Sequence, residues 1–360
     1  MSELNIRNIV TNGDFGESTR DILSVLWAIT NGCNYDCSHC FDQKSKFGRF
    51  SSVEQLLVGA EKLLQLNRPA YHITLYGGEP TFHPGCLELI DFLGQSKKEM
   101  LLRLFTNGSQ SQSFFEKMIA SCHDVHMGLI YSLHLEYAKI DHVLKILEIT
   151  AGGGGHVGVN FMFNPEYRQR AGEFADKLLK LREKTPFFMN IVFPYTRDGR
   201  LAVGCNEEDH VWYDTTSKAF TAIPMPPHLE SPFFTRVKSN ITLFRDGRYE
   251  VLDPEQSLTL LNSSTTPNYK GFYCCGGTNV IYIEESGAIR SSVCAVSKKI
   301  GNLFADSVPK LATNMLAVRC KSGCCSSIEN IPLPKFRHAD MAEECVAAAR
   351  QRAMKYLSQK

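Results

Sequence analysis

The sequence is 360 residues long, 43% hydrophobic and 21% charged, with 39 basic against 38 acidic residues and a net charge of +1. This is the make-up of an ordinary globular chain, long enough for one main domain and a smaller one. It gives no electrostatic case for nucleic acid or an acidic membrane surface, and no apolar run reaches membrane-spanning length. Residues 1–19 are too polar for a secretory signal, so the expected compartment is the cytoplasm. In that reducing compartment, 13 cysteines point to metal rather than to disulfides.

Residues 1–20 read as a polar lead-in without a role. Residues 23–30 are apolar strand formers closed by Asn31-Gly32. They place Cys33, Cys37 and Cys40 on a loop at the C-terminal end of a first strand. Thiolates this close suit a tetrahedral zinc or an iron–sulfur cluster. A closed structural site takes four ligands, whereas three leave one metal position open. An alternation of strands and helices follows. A helix over 52–66 leads to a strand over 71–76 that ends in Gly77-Gly78-Glu79-Pro80, then to a helix over 86–93. The strand over 101–105 ends in Thr106-Asn107-Gly108 and is followed by a helix over 112–121. Ser132 lies at the end of a strand over 128–133, before a helix over 140–149. A strand over 157–163, a helix over 168–183 and a sixth strand over 187–193 complete the series. Six such repeats predict an α/β fold, a curved parallel sheet or partial (β/α)6 TIM-like barrel. Helices lie outside and the chemistry sits at the C-terminal edge.

From residue 196 to about 269 the pattern breaks. Val211-Trp212-Tyr213-Asp214 with Ala219-Phe220-Thr221-Ala222-Ile223 reads as one hairpin, and 241–252 as another with Asp246-Gly247 at its turn. Pro224, Pro226, Pro227 and Pro232 form a linker between them. In the last third, Cys274-Cys275 precedes a strand over 278–284, the turn Ser286-Gly287, Cys294 and Ile300-Gly301-Asn302. A helix over 308–318 leads to Cys320, Cys324 and Cys325, and an amphipathic helix over 341–357 packs on the outside. The scattered Cys86, Cys122, Cys205 and Cys345 read mostly as small buried apolar residues.

The C-x3-C-x2-C loop after a first strand resembles the signature of the radical S-adenosylmethionine (radical SAM) enzymes, and Gly77-Gly78-Glu79-Pro80 resembles that family's GGEP motif. Thr106-Asn107-Gly108 and Ser132 fall at strand ends where related enzymes often carry similar groups. The resemblance implies that Cys33, Cys37 and Cys40 hold three irons of a 4Fe–4S cluster, the fourth being chelated by SAM. One electron then cleaves the sulfonium and releases a 5′-deoxyadenosyl radical, which takes a hydrogen atom from substrate. It further implies that Gly77, Gly78, Glu79 and Pro80 contact the methionyl amino group, with Thr106 and Asn107 on the neighbouring strand end. Ser132 would meet the SAM carboxylate or ribose. His39 stands where the family usually has an aromatic residue. The later cysteines resemble the SPASM and twitch domains, C-terminal cysteine-rich hairpin-and-helix domains that bind auxiliary clusters. One auxiliary 4Fe–4S cluster is implied, held by Cys275 or Cys274, Cys294, Cys320, and Cys324 or Cys325. Six residues, not the usual four, separate Gly287 from Cys294. Zinc is the alternative occupant at both cysteine groups.

The expected organisation is a lead-in over 1–22, a radical SAM partial barrel over 23–200 and a β-rich bridging segment over 201–271. A cluster domain over 272–335 and a terminal helix over 336–360 follow. The implied activity is reductive cleavage of SAM, used to crosslink, oxidise or epimerise a ribosomally made peptide. An aminocyclitol or sugar dehydrogenase or epimerase is the alternative, and a non-catalytic zinc or iron–sulfur protein the reading from another class. The expected partners are a peptide or small-molecule substrate and a reductase or flavodoxin-type electron donor, with no nucleic acid and no membrane. Cys205, just past the sixth strand, is a candidate hydrogen-atom donor to a substrate radical, against the alternative of an inert cysteine.

Overall fold

Strands and helices alternate through the first half of the chain as the sequence predicts. The computed structural model describes residues 9–13, 22–38, 40, 48, 50–122, 124–153, 155–193, 204–225, 240–244, 249–252, 269–294, 297–321, 330 and 333–359. After β1 (Ile9–Gly13) come β2 (Ile22–Thr30), α1 (Val53–Gln65), β3 (Ala70–Gly77), α2 (Cys86–Gly94), β4 (Glu99–Thr106) and α3 (Gln112–Ala120). Next are β5 (His126–His134), α4 (Ile140–Gly152), β6 (His156–Met162), α5 (Arg168–Arg182) and β7 (Phe188–Val192). Strands β2 to β7 pair in chain order, each parallel to the next. Parallel neighbours need a crossover between them, and α1 to α5 supply it. The result is the six-stranded parallel sheet of a partial barrel.

The pleat sorts each strand's residues onto two faces. Trp27, Ile73, Leu104, Tyr131, Phe161 and Ile191 belong to one buried core with Leu56, Leu89, Phe115, Ile146 and Leu178 of the helices. Their chain neighbours Thr74, Arg103, Ser132, Asn160 and Asn190 therefore face the opposite, concave side. Helix α1 starts where Ser52 and Gln55 form a capping box, Ser52 Oγ accepting from Gln55 N–H and Gln55 Oε1 from Ser52 N–H.

The remaining elements are α6 (Glu207–Thr221), β8 (Asn240–Phe244), β9 (Tyr249–Leu252), β10 (Tyr273–Gly276), β11 (Val280–Ile283) and β12 (Ala288–Arg290). They end with β13 (Lys299–Asn302), α7 (Val308–Thr313), β14 (Leu316–Arg319), β15 (Lys335–Phe336) and α8 (Ala339–Ser358). The barrel sheet does not stop at β2. β11 runs parallel beside it, Val280 opposite Ser24 and Ile283 opposite Trp27, and β12 and β13 extend the sheet to nine strands. A second sheet has the order β14-β10-β15-β1-β8-β9. The Lys62 ammonium joins α1 to the C-terminal region by donating to the carbonyls of Leu303 (3.2 Å), Phe304 (2.9 Å) and Asp306 (3.0 Å).

Three expectations are corrected. Residues 211–223 are not a hairpin: α6 covers most of them, started by a capping box between Asn206 and Asp209. Val211, Trp212, Tyr213 and Phe220 are strand formers by propensity. However, Asp209, Trp212, Thr216 and Phe220 recur at helical spacing, and Trp212 stacks on Phe163 at 4.7 Å. Capping and packing override propensity here. The helix expected over 308–318 ends at Thr313, and the chain continues as β14, paired with β10. The lead-in is also not featureless, since β1 pairs with β8 and β15. The hairpin over 241–252 forms as β8 and β9; its Asp246-Gly247 turn, like Pro226, Pro227 and Pro232, lies outside the described residues. Among the described residues no helix is long and apolar enough to cross a membrane.

Candidate metal and cofactor site

Three residues past β2 the chain reaches Cys33, and the loop is tight from its start. Gly32 N–H donates to Thr30 Oγ1 (2.8 Å), Tyr35 N–H to Cys33 Sγ (3.4 Å) and Cys40 N–H to Cys37 O (3.1 Å). Cys33 and Cys37 are buried and Cys40 half-buried. The neighbouring strand ends hold the loop. Gly78 N–H donates to Thr30 O (3.0 Å) and Glu79 N–H to Gly32 O (2.8 Å). This contact needs both glycines: a Cβ on Gly77 would stand 2.0 Å from Thr30 O and one on Gly78 2.2 Å from Gly32 O, and Gly77 has φ +141°. At the end of β4, Asn107 Nδ2 donates to Asn34 Oδ1 (2.9 Å), whose own Nδ2 donates to Ser109 Oγ (2.8 Å).

Glu79 joins the second and third strand ends from inside. Its side chain is 1% exposed and accepts from Thr81 N–H (3.1 Å), Thr81 Oγ1 (2.6 Å), Thr106 Oγ1 (2.7 Å) and Asn107 N–H (2.6 Å). Burial pushes its carboxyl pKa up, and the four donors pull it back. The carboxylate therefore turns into the protein and fixes the strand-end turns. Pro80 is buried at the start of the short turn of helix that follows. The Tyr35 hydroxyl is pushed up to about 12, by burial first and then by the negative charges of Glu79, Cys37 and Cys33.

Three thiols on one loop, two of them buried, suit a cluster that leaves one iron to another ligand. A cluster spreads its thiolates over separate irons. On donor chemistry the loop fits the cluster.

Ser132, Asn160 and Asn190 are consecutive neighbours across β5, β6 and β7. Their backbones are taken up by the strand ladder, and among the described residues no side-chain hydrogen bond is seen for any of the three. Sequence reading singled out Ser132 alone; the two asparagines carry no motif, and only the strand register aligns them. Asn34, Glu136 and Tyr137, which hold the sulfur loop, were missed for the same reason.

The second cysteine group is divided. Cys275 is fully buried and faces α8, its Sγ 3.6 Å from Ala342 O and in contact with Cys345. The pleat turns Cys274 to the other face. Cys320 shares that face: it follows Val318, the partner of Cys274, by two residues and pairs through its N–H with Phe272 O (2.7 Å). Cys294 Sγ lies 3.1 Å from Ser292 Oγ. Cys324, Cys325 and His39 are outside the described residues. Cys205 is half-buried, just before the Asn206 cap of α6. Burial and the Asp209 charge push its thiol pKa up, against the opposing pull of Arg168.

No curated protein matches the chain. Three solved structures are similar to parts of the chain at low identity. Streptococcus suis SuiB bound to S-adenosylmethionine has 14% identity and a TM-score of 0.47, over 79% of this chain and 64% of that one. The chain thus spans less than two thirds of SuiB. Native anSMEcpe with bound AdoMet and Cp18Cys peptide has 15% identity and a TM-score of 0.49, over 94% and 99%. BtrN in complex with AdoMet and 2-DOIA has 12% identity and a TM-score of 0.38, over 81% of each chain. Residues 27–160 match the family profile of the Radical SAM superfamily. That span holds the sulfur loop, the GGEP turn, the Thr-Asn-Gly strand end and Ser132, so the segment that matches the Radical SAM superfamily model is the one that carries the candidate site.

Proposed function

We propose that the protein is a radical SAM enzyme that modifies a ribosomally made peptide. The observation that carries this reading is the sulfur loop at the C-terminal end of β2, hydrogen-bonded to the GGEP turn and the Thr-Asn-Gly strand end. When bound, a 4Fe–4S cluster on Cys33, Cys37 and Cys40 supplies the electron that splits the SAM sulfonium. Gly77 and Gly78 let a ligand approach the main chain, and Ser132, two strands along on β5, offers its hydroxyl. Asn160 and Asn190 continue that line of neutral donors and acceptors toward the β7 edge of the sheet. Amide groups of a peptide would satisfy both capacities of each carboxamide, while an ionic ligand would use only one. An aminocyclitol's hydroxyls would use the same line, which keeps that substrate class as the second reading.

For the auxiliary cluster we assign Cys274 rather than Cys275, with Cys294, Cys320 and one of Cys324 or Cys325. A flavodoxin-type reductase is the proposed electron source. Cys205, held as a thiol by burial and the Asp209 charge, has an S–H to give. The experiment is anaerobic reconstitution followed by dithionite and SAM. A brown protein with about eight irons per chain in two clusters that releases 5′-deoxyadenosine is expected. A colourless protein with stoichiometric zinc overturns the proposal.

A further inference from the structure

We infer that Glu136 and Tyr137 are positioning residues of the sulfur loop, a clamp that presets the thiols before metal arrives. The inference rests on the proposed cluster site and goes beyond the cysteines themselves. Both residues follow β5, which two strands, β3 and β4, separate from the strand that carries the loop. The Glu136 carboxylate accepts from Ser38 N–H (3.2 and 3.1 Å to its two oxygens) and from Ser38 Oγ (2.5 Å). Tyr137 OH donates to Asp36 O (2.9 Å), and its ring stacks on Tyr35 with centroids 4.7 Å apart and planes at 16°. His134 meets the same Tyr35 ring edge-on at 6.3 Å. Three residues at the end of β5 and just after it, His134, Glu136 and Tyr137, thus reach three of the spacers between the cysteines, Tyr35, Asp36 and Ser38. Asn34, the remaining described spacer, is held from the other side by Asn107 and Ser109.

A loop that must find its shape while binding metal loses ordering entropy at that step, and a loop already held does not. Outer partners of metal ligands commonly cost about 10- to 100-fold in metal affinity when removed. Glu136 also brings a carboxylate to the loop, and net charge near an iron–sulfur cluster lowers or raises its potential.

The test uses the full chain, reconstituted anaerobically, and reads three quantities besides turnover: iron per chain, the rate of iron loss to a ferrous chelator, and the cluster's midpoint potential. Glu136→Ala is expected to lose iron about 10- to 100-fold faster than the parent. Glu136→Gln keeps an acceptor for Ser38, so it should retain iron near the parental rate while its potential rises, because a negative charge is gone. Tyr137→Phe removes one hydroxyl from a residue that is 38% exposed, too little to unfold the protein, and should speed iron loss by a smaller factor. Parental loss rates in Glu136→Ala and Tyr137→Phe overturn the clamp. A parent chain that takes up no iron overturns the proposed function, and the clamp with it.

Discussion

The two cysteine-rich regions differ in what surrounds the thiols. Around Cys33 to Cys40 the loop is gripped from three neighbouring strand ends: backbone N–H groups of Gly78 and Glu79 hold its start, and the Asn107 and Ser109 contacts and the Glu136–Tyr137 pair hold its spacers. At Cys274-Cys275 the cysteines are adjacent on a strand, and the pleat sends them to opposite faces. Cys275 then becomes part of the hydrophobic core under α8, with Cys345 as its neighbour. The same residue type is a ligand candidate on a loop and a packing atom in a strand. Spacing along the chain distinguishes these only when the local backbone is known.

The sharpest way to break this comparison is to exchange adjacent cysteines. Cys274→Ala is expected to lose the auxiliary cluster, about half of the iron. Cys275→Ala should keep all of it and lose about 1–2 kcal/mol of stability through a small cavity. Iron analysis beside urea unfolding reads both, and the reverse pattern would show that the faces are assigned wrongly. A smaller effect tests the grip on the first loop. Glu79→Gln replaces an acceptor of four hydrogen bonds by a group that is half donor, and it should cost about 2–4 kcal/mol from unpaired buried donors. Unfolding midpoints at unchanged m-value check this; a near-neutral result would mean the strand ends hold without it.

The smallest effect concerns the neighbourhood of Cys205, where the contrast is electrostatic. The Arg168 guanidinium bonds Asp209 at 2.5 and 2.7 Å and holds its carboxyl below the usual carboxylate range. A carboxyl depressed in the folded state stabilises above its unfolded pKa, about 4. That contribution fades as pH falls through the lower folded value. Asp209→Asn should therefore be less stable than the parent at pH 7, with the gap closing in acid below about pH 4. Denaturant melts at both pH values measure it, and a gap that is constant with pH would exclude the ion pair as its source.

The six parallel strands and their helices were legible because each strand is a short apolar run and each helix repeats with its own period. The site was legible wherever a motif is contiguous: Cys33 to Cys40, Gly77 to Pro80, Thr106 to Gly108. Helix α6 was misread because Val211, Trp212 and Tyr213 favour strands in isolation, while Asn206 and Asp209 set the start and Phe163 the packing. Strand β1 was missed because its partners, β8 and β15, lie more than half the chain away. The Asn160–Asn190 line and the Glu136 clamp depend on register between strands, for which no local pattern exists.

The pairing of β11 with β2 has a consequence for how the protein is made. Until residues 280–283 leave the ribosome, β2 is a bare apolar edge next to the nascent sulfur loop, and bare edges recruit other chains. Closing it demands one of the longest-range contacts in the molecule, a slow step for folding. A truncated chain ending at 271 is thus expected to aggregate instead of yielding a smaller working barrel.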